Sequence, residues 1–460
     1  MKLLVHCNHI DAPHITPIAS LYNAAMHAII LSIGDELVLG QTVDTNSAYL
    51  SAQLASRGIM TRFHQTIADD QDAIAQAFTW ASNEADLVIV TGGLGPTEDD
   101  LTRQALAQAM GVELVVDEES LAAITGYFAK RNRIMPDRNR IQAMQPRGCK
   151  AIPNSCGTAP GMQVQFSRAM IFVTPGVPSE LFAMFRLSVV PYLDELAAAQ
   201  PALRRTILTQ KINTFGLGES DVAEKLGELM DRKRNPLVGT TVSDGLVSVR
   251  IRSEFDDPQK AQAELDYTIT QAERLLGPVV IGRESQTMQA ALVELLLAKK
   301  ATLATAESCT GGLVAKSITD VAGSSAVFAG GWVTYANEMK AAQLNVPMSL
   351  IEKHGAVSEP VARSMAQGAI EKSGATLSVA ITGIAGPGGG TEAKPVGTIW
   401  IAIGSRDQAT GTIATDARLY YLPGDREQIR DRAAKCAMQM LRFHIMGIPL
   451  DELRWGRKQK

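Results

Sequence analysis

The sequence predicts an α/β protein built from three domains. At 460 residues the chain is long enough for two to four domains, at roughly 150 residues each. Aromatic residues make up only 5%, so small aliphatic side chains must form the cores, as in proteins with buried parallel strands. Apolar strand-like runs alternate with helix-like segments at both ends of the chain, whereas the middle has a different pattern. We therefore expect a three-layer parallel-sheet domain at 26–200, a small α+β domain at 201–284 and a second α/β domain at 285–450.

The composition excludes several classes of protein. A net charge of −4 and a pI of about 6.0 argue against nucleic acid as the main partner, because phosphate backbones require a basic surface. No run approaches 18 uncharged apolar residues, so we expect no membrane-spanning helix. The five cysteines are scattered, odd in number and lack the spacing of zinc sites. Reduced thiols, and hence a cytoplasmic location, are the simplest interpretation.

Residues 1–25 differ from the rest of the chain. His6, Cys7, His9 and His14 lie among prolines without clear periodicity. A histidine-rich metal site is one interpretation, but an unstructured leader fits this composition better. A basic segment followed by an apolar one is lacking, so this is not a signal peptide. The folded part is predicted to begin at Met26.

The first domain has a β-α-β-α-β pattern that places three loops on one rim. Strands are predicted at 28–33, 59–66, 86–91 and 169–174, with helices at 44–57 and 70–84 and another ending at 110. The loops at 34–36, 92–100 and 175–178 each follow such a strand. Ligands of parallel sheets bind beyond the carboxyl ends of the strands, so we expect a site at these loops.

The loop at 92–100 is the most specific of the three. It combines the backbone donors of its three glycines with three carboxylates: Gly92, Gly93, Gly95, Glu98, Asp99 and Asp100. Carboxylates beside a phosphate-binding turn can hold Mg²⁺ or a similar hard cation. Alternatively, these acidic residues only favour the dipole at the start of the following helix.

The middle and last domains are predicted from shorter patterns. The middle one has strand-like runs at 206–213 and 246–253, with helices at 220–230 and 258–276. The last domain has predicted helices at 287–299, 313–319, 359–372 and 425–443, and another that begins at 336. Its predicted strands are 301–305, 329–335, 376–382, 397–404 and 418–422.

The stretch 306–312 (AESCTGG) joins a predicted strand to a predicted helix by a glycine-assisted turn. Ser308 lies at the bend, next to backbone N–H groups that can stabilise an oxyanion, so it is a candidate nucleophile. A simpler interpretation is that Ser308 and Thr310 cap the helix. Cys309 is a rival nucleophile, because a thiol at a helix start can have a lowered pKa.

Other residues of the last domain could assist such a nucleophile. Desolvation can turn a lysine into a base, so Lys340 is a candidate, with Tyr335 as a proton relay; alternatively Lys340 faces solvent. The loop at 383–390 could wrap a phosphate with its backbone N–H groups, or it is a flexible surface turn. Arg426 and Arg430, one helical turn apart, suit a phosphate, or face solvent.

From about Met26 onward the chain resembles the CinA-like proteins, once called competence-damage-inducible proteins. The matching motifs are 33–37 (IGDEL), 44–46 (DTN), 91–100 (TGGLGPTEDD), 175–178 (PGVP), 306–312 (AESCTGG), 335–340 (YANEMK), 355–358 (GAVS) and 383–387 (GIAGP). The resemblance implies a molybdopterin-binding-like first domain, a KH-type middle domain and a C-terminal nicotinamide mononucleotide deamidase, in a homodimer. The middle domain lacks the Gly-x-x-Gly clamp of KH domains, so we do not expect RNA binding.

For the last domain the resemblance implies hydrolysis of the nicotinamide amide to nicotinic acid mononucleotide and ammonia, without a cofactor, in the recycling of NAD. Ser308 would attack the carboxamide carbon, Lys340 would act as base, and Tyr335 would assist. The residues implied for substrate binding are Thr310, Gly311, Gly312, Ser324, Ser325, Gly383, Gly386 and Arg426. Ser324 and Ser325 stay open as alternative nucleophiles.

For the first domain the resemblance implies an ADP-ribose pyrophosphatase that requires a divalent metal such as Mg²⁺ or Co²⁺. Gly92, Gly93, Gly95 and Asp100 would bind the nucleotide, and Asp99 and Asp100 the metal. Two alternatives stay open for the whole chain: a deamidase whose first domain only binds a nucleotide or pterin, and a non-enzymatic adaptor in DNA uptake or repair.

Overall fold

The computed structural model describes residues 26–199 and 205–453. Their contacts divide them into two compact units, one with the described residues up to 208 and 254–261, the other with 209–253 and those from 262 onward. The predicted α/β class is confirmed. The predicted leader at 1–25, with its histidines and Cys7, lies outside the described residues.

Strands and helices alternate through the first unit. The strands are β1 (His27–Ile33), β2 (Met60–Ile67), β3 (Leu87–Thr91), β4 (Leu114–Val116), β5 (Met144–Pro146), β6 (Lys150–Ile152), β7 (Gly161–Phe166) and β8 (Ala169–Thr174). The helices are α1 (Asp35–Val38), α2 (Thr45–Ala55), α3 (Gln71–Glu84), α4 (Thr102–Met110), α5 (Glu118–Ala129), α6 (Pro178–Met184) and α7 (Val190–Ala199). Asp44 and Asp70, the first residues of the two predicted helices, are the N-caps of α2 and α3.

The main sheet of this unit is buried on both faces. Its strand order is β2-β1-β3-β8-β7-β6, with parallel pairing from β2 to β8. Alternate residues of β1 point to opposite faces: Ile29 packs in one cluster with Phe78 of α3, and Ile30 in another with Leu50 of α2. Helices on both faces give the three layers that the sequence predicts.

The region between α4 and β8 contains strands that the sequence pattern does not predict. β7 and β6 extend the sheet with antiparallel pairing, and β4 and β5 form a separate antiparallel pair. β4, β5 and β6 have three residues each, too few for a period-two alternation to be visible in the sequence.

In the middle region, strands β9 (Thr206–Phe215), β10 (Leu237–Ser243), β11 (Leu246–Phe255) and β12 (Val280–Arg283) form a sheet with helices α8 (Glu219–Leu226) and α9 (Pro258–Leu276). The strand order is β10-β11-β9-β12. β9 and β11 correspond to the two predicted runs, whereas the edge strands β10 and β12 were not predicted. The predicted helix at 220–230 is α8 followed by a 3₁₀ turn, Gly227–Met230.

The C-terminal part of the second unit is a five-stranded sheet with helices. Its strands are β13 (Leu303–Glu307), β14 (Phe328–Val333), β15 (Leu377–Gly383), β16 (Thr398–Arg406) and β17 (Ile413–Tyr421). Its helices are α10 (Met288–Lys299), α11 (Leu313–Thr319), α12 (Asn337–Leu344), α13 (Met348–His354), α14 (Glu359–Ser373) and α15 (Arg426–Met446). The strand order is β14-β13-β15-β16-β17, parallel among the first three and antiparallel thereafter.

Several predicted boundaries in this sheet were wrong, including the end of β14, which lies at Val333 rather than at 335. β13 ends at Glu307 rather than at 305, so Ser308 follows the strand directly. β17 has nine residues instead of the five predicted, because it pairs along all of β16. Gly383, predicted to open a loop, is the last residue of β15 and pairs with Ile399.

Candidate active site

The carboxyl ends of three parallel strands place the predicted site residues together. β13 ends next to β14 and β15, with Glu307 in register with both Val333 and Ile381. Ser308 follows β13, and Tyr335 lies two residues beyond β14. The loop after β14 leads into α12, whose fourth residue is Lys340.

The side chain of Lys340 reaches back to Ser308. Its Nζ lies 3.1 Å from Ser308 Oγ, 2.9 Å from the carbonyl oxygen of Thr334 and 3.1 Å from that of Tyr335. Lys340 is 1% exposed and Ser308 8%, so the interpretation of Lys340 as a solvent-facing lysine was wrong. Burial lowers the pKa of Lys340. The structure thus places a partly desolvated amine against the candidate nucleophile.

The turn that carries Ser308 is closed by backbone bonds. The N–H of Ser308 donates to the carbonyl of Ile381 at 2.9 Å, and the N–H of Gly311 donates to the carbonyl of Ser308 at 3.0 Å. Gly311 has a φ of +63° and Gly312 a φ of +91°, values that favour glycine. Because the N–H of Ser308 is already paired within the sheet, an oxyanion would have to bind elsewhere.

Glu307 caps α11, which sequence reasoning missed. Its fully buried carboxylate accepts the N–H groups of Val314 at 3.1 Å and Ala315 at 2.9 Å. The proposed capping by Ser308 or Thr310 was therefore wrong, since neither side chain bonds the helix start in the described residues. An acidic residue six positions before the helix was the available signal, but the strand was predicted to end before it. Glu307 occupies the positive end of α11.

Cys309 lies in the core beside the site. It is 5% exposed, and burial raises the pKa of its thiol to about 12. At neutral pH the group is a protonated thiol, which is a poor nucleophile. This environment favours Ser308 over Cys309.

Arg426, the first residue of α15, connects two of the predicted substrate-binding elements. Its guanidinium donates to the carbonyl of Gly386 at 2.6 Å and to the phenol oxygen of Tyr335 at 2.8 Å. Tyr335 is 57% exposed, so its ring faces the opening of the site, while its backbone carbonyl accepts from Lys340. Arg430 has a different partner: it donates to the carbonyl of Thr310 at 2.8 Å.

Ser324 and Ser325 are not brought to Ser308 by hydrogen bonds. They lie in a short 3₁₀ helix, Ser324–Ala326, where Ser324 is buried and Ser325 exposed. Among the described residues, neither hydroxyl bonds Ser308, Lys340 or Arg426. Their role in substrate binding stays a prediction.

The first unit has its own cleft at the carboxyl ends of β1, β3 and β8. The cleft has a volume of about 420 Å³ and is lined by Gly92, Gly93 and Gly95. The side chain of Arg103, which is buried, bonds two carbonyls of this glycine loop. It donates to the carbonyl of Leu94 at 2.6 Å and to that of Gly95 at 3.3 Å. Arg103 thus ties the glycine loop to helix α4 by two hydrogen bonds.

Asp100 braces the same loop from within. One carboxylate oxygen accepts the N–H of Gly95 at 2.6 Å, and the other accepts both the N–H and the hydroxyl of Thr97. Helix α4 begins after Leu101 without a side-chain cap, so neither Asp99 nor Asp100 caps it. Loop bracing therefore explains the carboxylate of Asp100 better than the dipole interpretation does, since the first turn of α4 contains no acidic residue.

The described residues do not fit a preformed metal centre in this cleft. Both oxygens of Asp100 are used within the loop, and no three His, Cys, Asp or Glu side chains in 26–199 or 205–453 converge to hold a metal. The cleft is nevertheless strongly acidic. Burial and the nearby charges of Asp35, Glu36 and Asp99 raise the pKa of Asp69. We assign no metal-dependent step to these residues.

In the same described part of the chain, the structure contains no helix of sufficient length and apolarity to cross a bilayer.

Three family models match the chain. The CinA C-terminal domain matches 285–445, the probable molybdopterin binding domain matches 29–195, and the damage-inducible protein CinA KH domain matches 209–282. All three models correspond to parts that the sequence resemblance predicts.

Full-length relatives agree with these matches. A putative competence-damage inducible protein of Symbiobacterium thermophilum is 42% identical over 92% of this chain and 99% of its own. A CinA-like protein of Chlorobaculum tepidum is 41% identical over 90% of this chain and 98% of its own. Among solved structures, the CinA protein of unknown function from Thermoplasma acidophilum is 34% identical, covers 37% of this chain and 99% of that chain, and has a TM-score of 0.34.

Proposed function

The chain belongs to the CinA family, and on that premise we propose that its C-terminal part is an amidohydrolase that converts nicotinamide mononucleotide to nicotinic acid mononucleotide and ammonia. The observation that carries this proposal is the contact between Lys340 Nζ and Ser308 Oγ at 3.1 Å. A serine hydroxyl becomes nucleophilic only when a base takes its proton. In the described residues, Lys340 is the basic side chain that bonds this hydroxyl.

As an ammonium, Lys340 donates to all three of its partners, Ser308 Oγ and the two backbone carbonyls. The neutral amine, which burial favours, is the form that can act as a base. A neutral amine has two hydrogens and one lone pair, and the carbonyls of Thr334 and Tyr335 can only accept. With both hydrogens directed to these carbonyls, the lone pair faces the hydroxyl of Ser308. General-base catalysis requires this orientation, in which the hydroxyl of Ser308 donates its proton to the lone pair of Lys340.

The proposed reaction proceeds through an ester. Ser308 Oγ bonds the carboxamide carbon as its proton passes to Lys340, and the carbonyl π pair moves onto oxygen. Collapse of this tetrahedral species breaks the C–N bond, and Lys340 returns the proton to the departing ammonia. Water then attacks the ester with Lys340 again as base, which releases the carboxylic acid and restores Ser308.

The substrate phosphate is proposed to bind near Arg426 and the loop at 384–390. A guanidinium has five N–H donors, and the bonds to Gly386 and Tyr335 leave others for a phosphate.

The test measures ammonia release from nicotinamide mononucleotide. Wild type should be active, and Ser308→Ala and Lys340→Ala should lose about 10²- to 10⁴-fold in kcat. Inactive wild type would refute the deamidase proposal and favour the adaptor alternative. If Ser308→Ala were fully active while Ser324→Ala or Ser325→Ala was not, the nucleophile would be one of those serines.

A second function is proposed for the first unit: binding of a phosphorylated nucleotide such as ADP-ribose, with pyrophosphate hydrolysis. The supporting observation is the braced glycine loop at the carboxyl edge of a parallel sheet. AMP formation from ADP-ribose, with and without Mg²⁺ or Co²⁺, tests hydrolysis, whereas ADP-ribose binding without AMP formation would leave a binding domain only.

A further inference from the structure

We propose that Arg430 is a positioning residue for the nucleophile, which holds Ser308 in line with Lys340 through the carbonyl of Thr310. This inference rests on the proposed role of Ser308. It departs from the expectation that Arg426 and Arg430 together bind a phosphate.

The hydrogen bonds of the turn single out Arg430. Ser308 and Gly311 use their N–H groups in backbone bonds, which close the turn on itself and on β15. In the described residues, the side chains that hydrogen-bond the turn at 308–312 are those of Lys340 and Arg430. Lys340 holds the reactive hydroxyl, and Arg430 holds the opposite side of the turn.

The Arg430 contact is built into the interior. Thr310 is fully buried, so its carbonyl depends on a protein donor for hydrogen bonding. A Cβ added to Gly311 would lie 3.4 Å from Nη2 of Arg430, so the guanidinium lies directly against this residue of the turn. The Nε of Arg430 is also buried and has no hydrogen-bond partner among the described residues. This guanidinium thus faces the turn.

The bond acts on the peptide that closes the turn. The carbonyl of Thr310 and the N–H of Gly311 belong to one peptide group, and that N–H donates to the carbonyl of Ser308 at 3.0 Å. A cation on the carbonyl polarises the peptide and strengthens the N–H on its other side. Arg430 therefore stabilises the turn at the residue that must attack.

Two arginines one helical turn apart have separate tasks in this arrangement. Arg426 joins Tyr335 to Gly386 at the opening of the site, where a substrate group would bind. Arg430 lies behind the nucleophile. Loss of Arg426 should weaken substrate binding, and loss of Arg430 should lower the reactivity of Ser308.

The experiment compares Arg430→Ala, Arg430→Lys and, as a matched control on α15, Arg432→Ala. Arg432 bonds the carbonyl of Pro423 rather than the turn. One readout is kcat and KM for nicotinamide mononucleotide, with added guanidinium ion as a rescue of Arg430→Ala. The other is the rate at which a fluorophosphonate labels Ser308, which needs no knowledge of the substrate. Circular dichroism confirms folding.

For Arg430→Ala we expect kcat and the labelling rate to fall together by about 10- to 100-fold with KM nearly unchanged, because small misplacements of reacting groups have effects of this size. Guanidinium ion should restore part of both rates, and Arg430→Lys should be intermediate. Arg432→Ala should match wild type. If Arg430→Ala fails to fold, the test is the comparison of kcat and labelling rate between Arg430→Lys and wild type.

A rise in KM with an unchanged kcat and labelling rate would overturn the proposal and make Arg430 a substrate-binding residue. Wild-type values in both readouts would also overturn it. If Ser308 is labelled normally in wild type but nicotinamide mononucleotide is not hydrolysed, the proposed function fails while the labelling series still tests Arg430.

Discussion

The side-chain nitrogen of Lys340 lies 2.9 Å from the carbonyl oxygen of Thr334, six residues earlier in the chain. Because a carbonyl oxygen can only accept, this contact directs one N–H of Lys340 away from Ser308. The backbone after β14 thereby determines how the amine is oriented toward the nucleophile.

The pH dependence of kcat/KM should report the pKa of the catalytic base, Lys340. Burial lowers the pKa of Lys340, so its neutral form exists at a lower pH than for an ordinary lysine. Activity should rise with pH through an acidic limb below the usual lysine value of about 10.4 and then level off. Lys340→Met should lose this activity, whereas the exposed Lys316→Met should retain the wild-type profile. A rate that is flat across the acidic range would contradict the base role.

The lowered pKa of Lys340 also makes the free energy of unfolding depend on pH. Lys340 loses its proton at lower pH in the folded state than in the unfolded chain, so between the two pKa values the unfolded state binds more protons. The contribution of Lys340 to the free energy of unfolding should therefore increase as pH rises through this window. Urea unfolding of wild type and Lys340→Met across that range measures the difference in slope, and parallel pH profiles would argue against it.

Cys309→Ala should keep kcat close to wild type, because the thiol is buried and protonated at neutral pH. Iodoacetamide at pH 7 should likewise fail to inactivate the enzyme through this residue. Ammonia release before and after treatment, with mass spectrometry of the peptide that contains Cys309, provides the measurement. Loss of activity in Cys309→Ala with activity retained in Ser308→Ala would show that Cys309, and not Ser308, is the nucleophile.

Arg426→Ala should raise KM for nicotinamide mononucleotide about tenfold or more, a loss of at least roughly 1.4 kcal/mol. Its guanidinium holds both Gly386 and Tyr335 at the opening of the site. Tyr335→Phe removes only the phenol oxygen and leaves the carbonyl that accepts from Lys340, so its kcat should fall less than that of Lys340→Met. Equal losses in these two variants would instead support a proton-relay role for the phenol.

Asp100→Ala should destabilise the first unit even without nucleotide or metal. The change removes the acceptor of the partly buried Gly95 N–H and of the exposed Thr97 N–H, and because water can reach the exposed group, we expect a loss of about 0.5–1.5 kcal/mol in the free energy of unfolding. Asp99→Ala, at the neighbouring exposed position, is the matched control and should lose less stability, because the interaction of Asp99 with Thr97 is fully exposed. Equal stability of the two variants would show that the brace contributes little. Loss of ADP-ribose binding in Asp99→Ala alone would point to a ligand role for that carboxylate.

Much of the fold can be predicted from the local pattern of apolar and polar residues along the sequence. Apolar runs predicted strands β1, β3, β8 and β15 because each is buried on both faces, and such strands are continuous in sequence. The order of strand, glycine turn and helix placed Ser308 at the carboxyl edge of a sheet. The short strands β4, β5 and β6 were missed, since their pairing partners rather than their own residues define them.

The sequence by itself therefore determined the α/β class and the position of Ser308 just after a strand of the C-terminal sheet. Only the tertiary structure decided which side chains meet there. Lys340 is 32 residues from Ser308, Arg426 is 91 from Tyr335, and Arg430 is 120 from Thr310. Such contacts depend on how α12 and α15 are rotated against the sheet. Packing of segments that are distant in sequence sets that rotation, so it cannot be predicted from the local periodicity of the sequence.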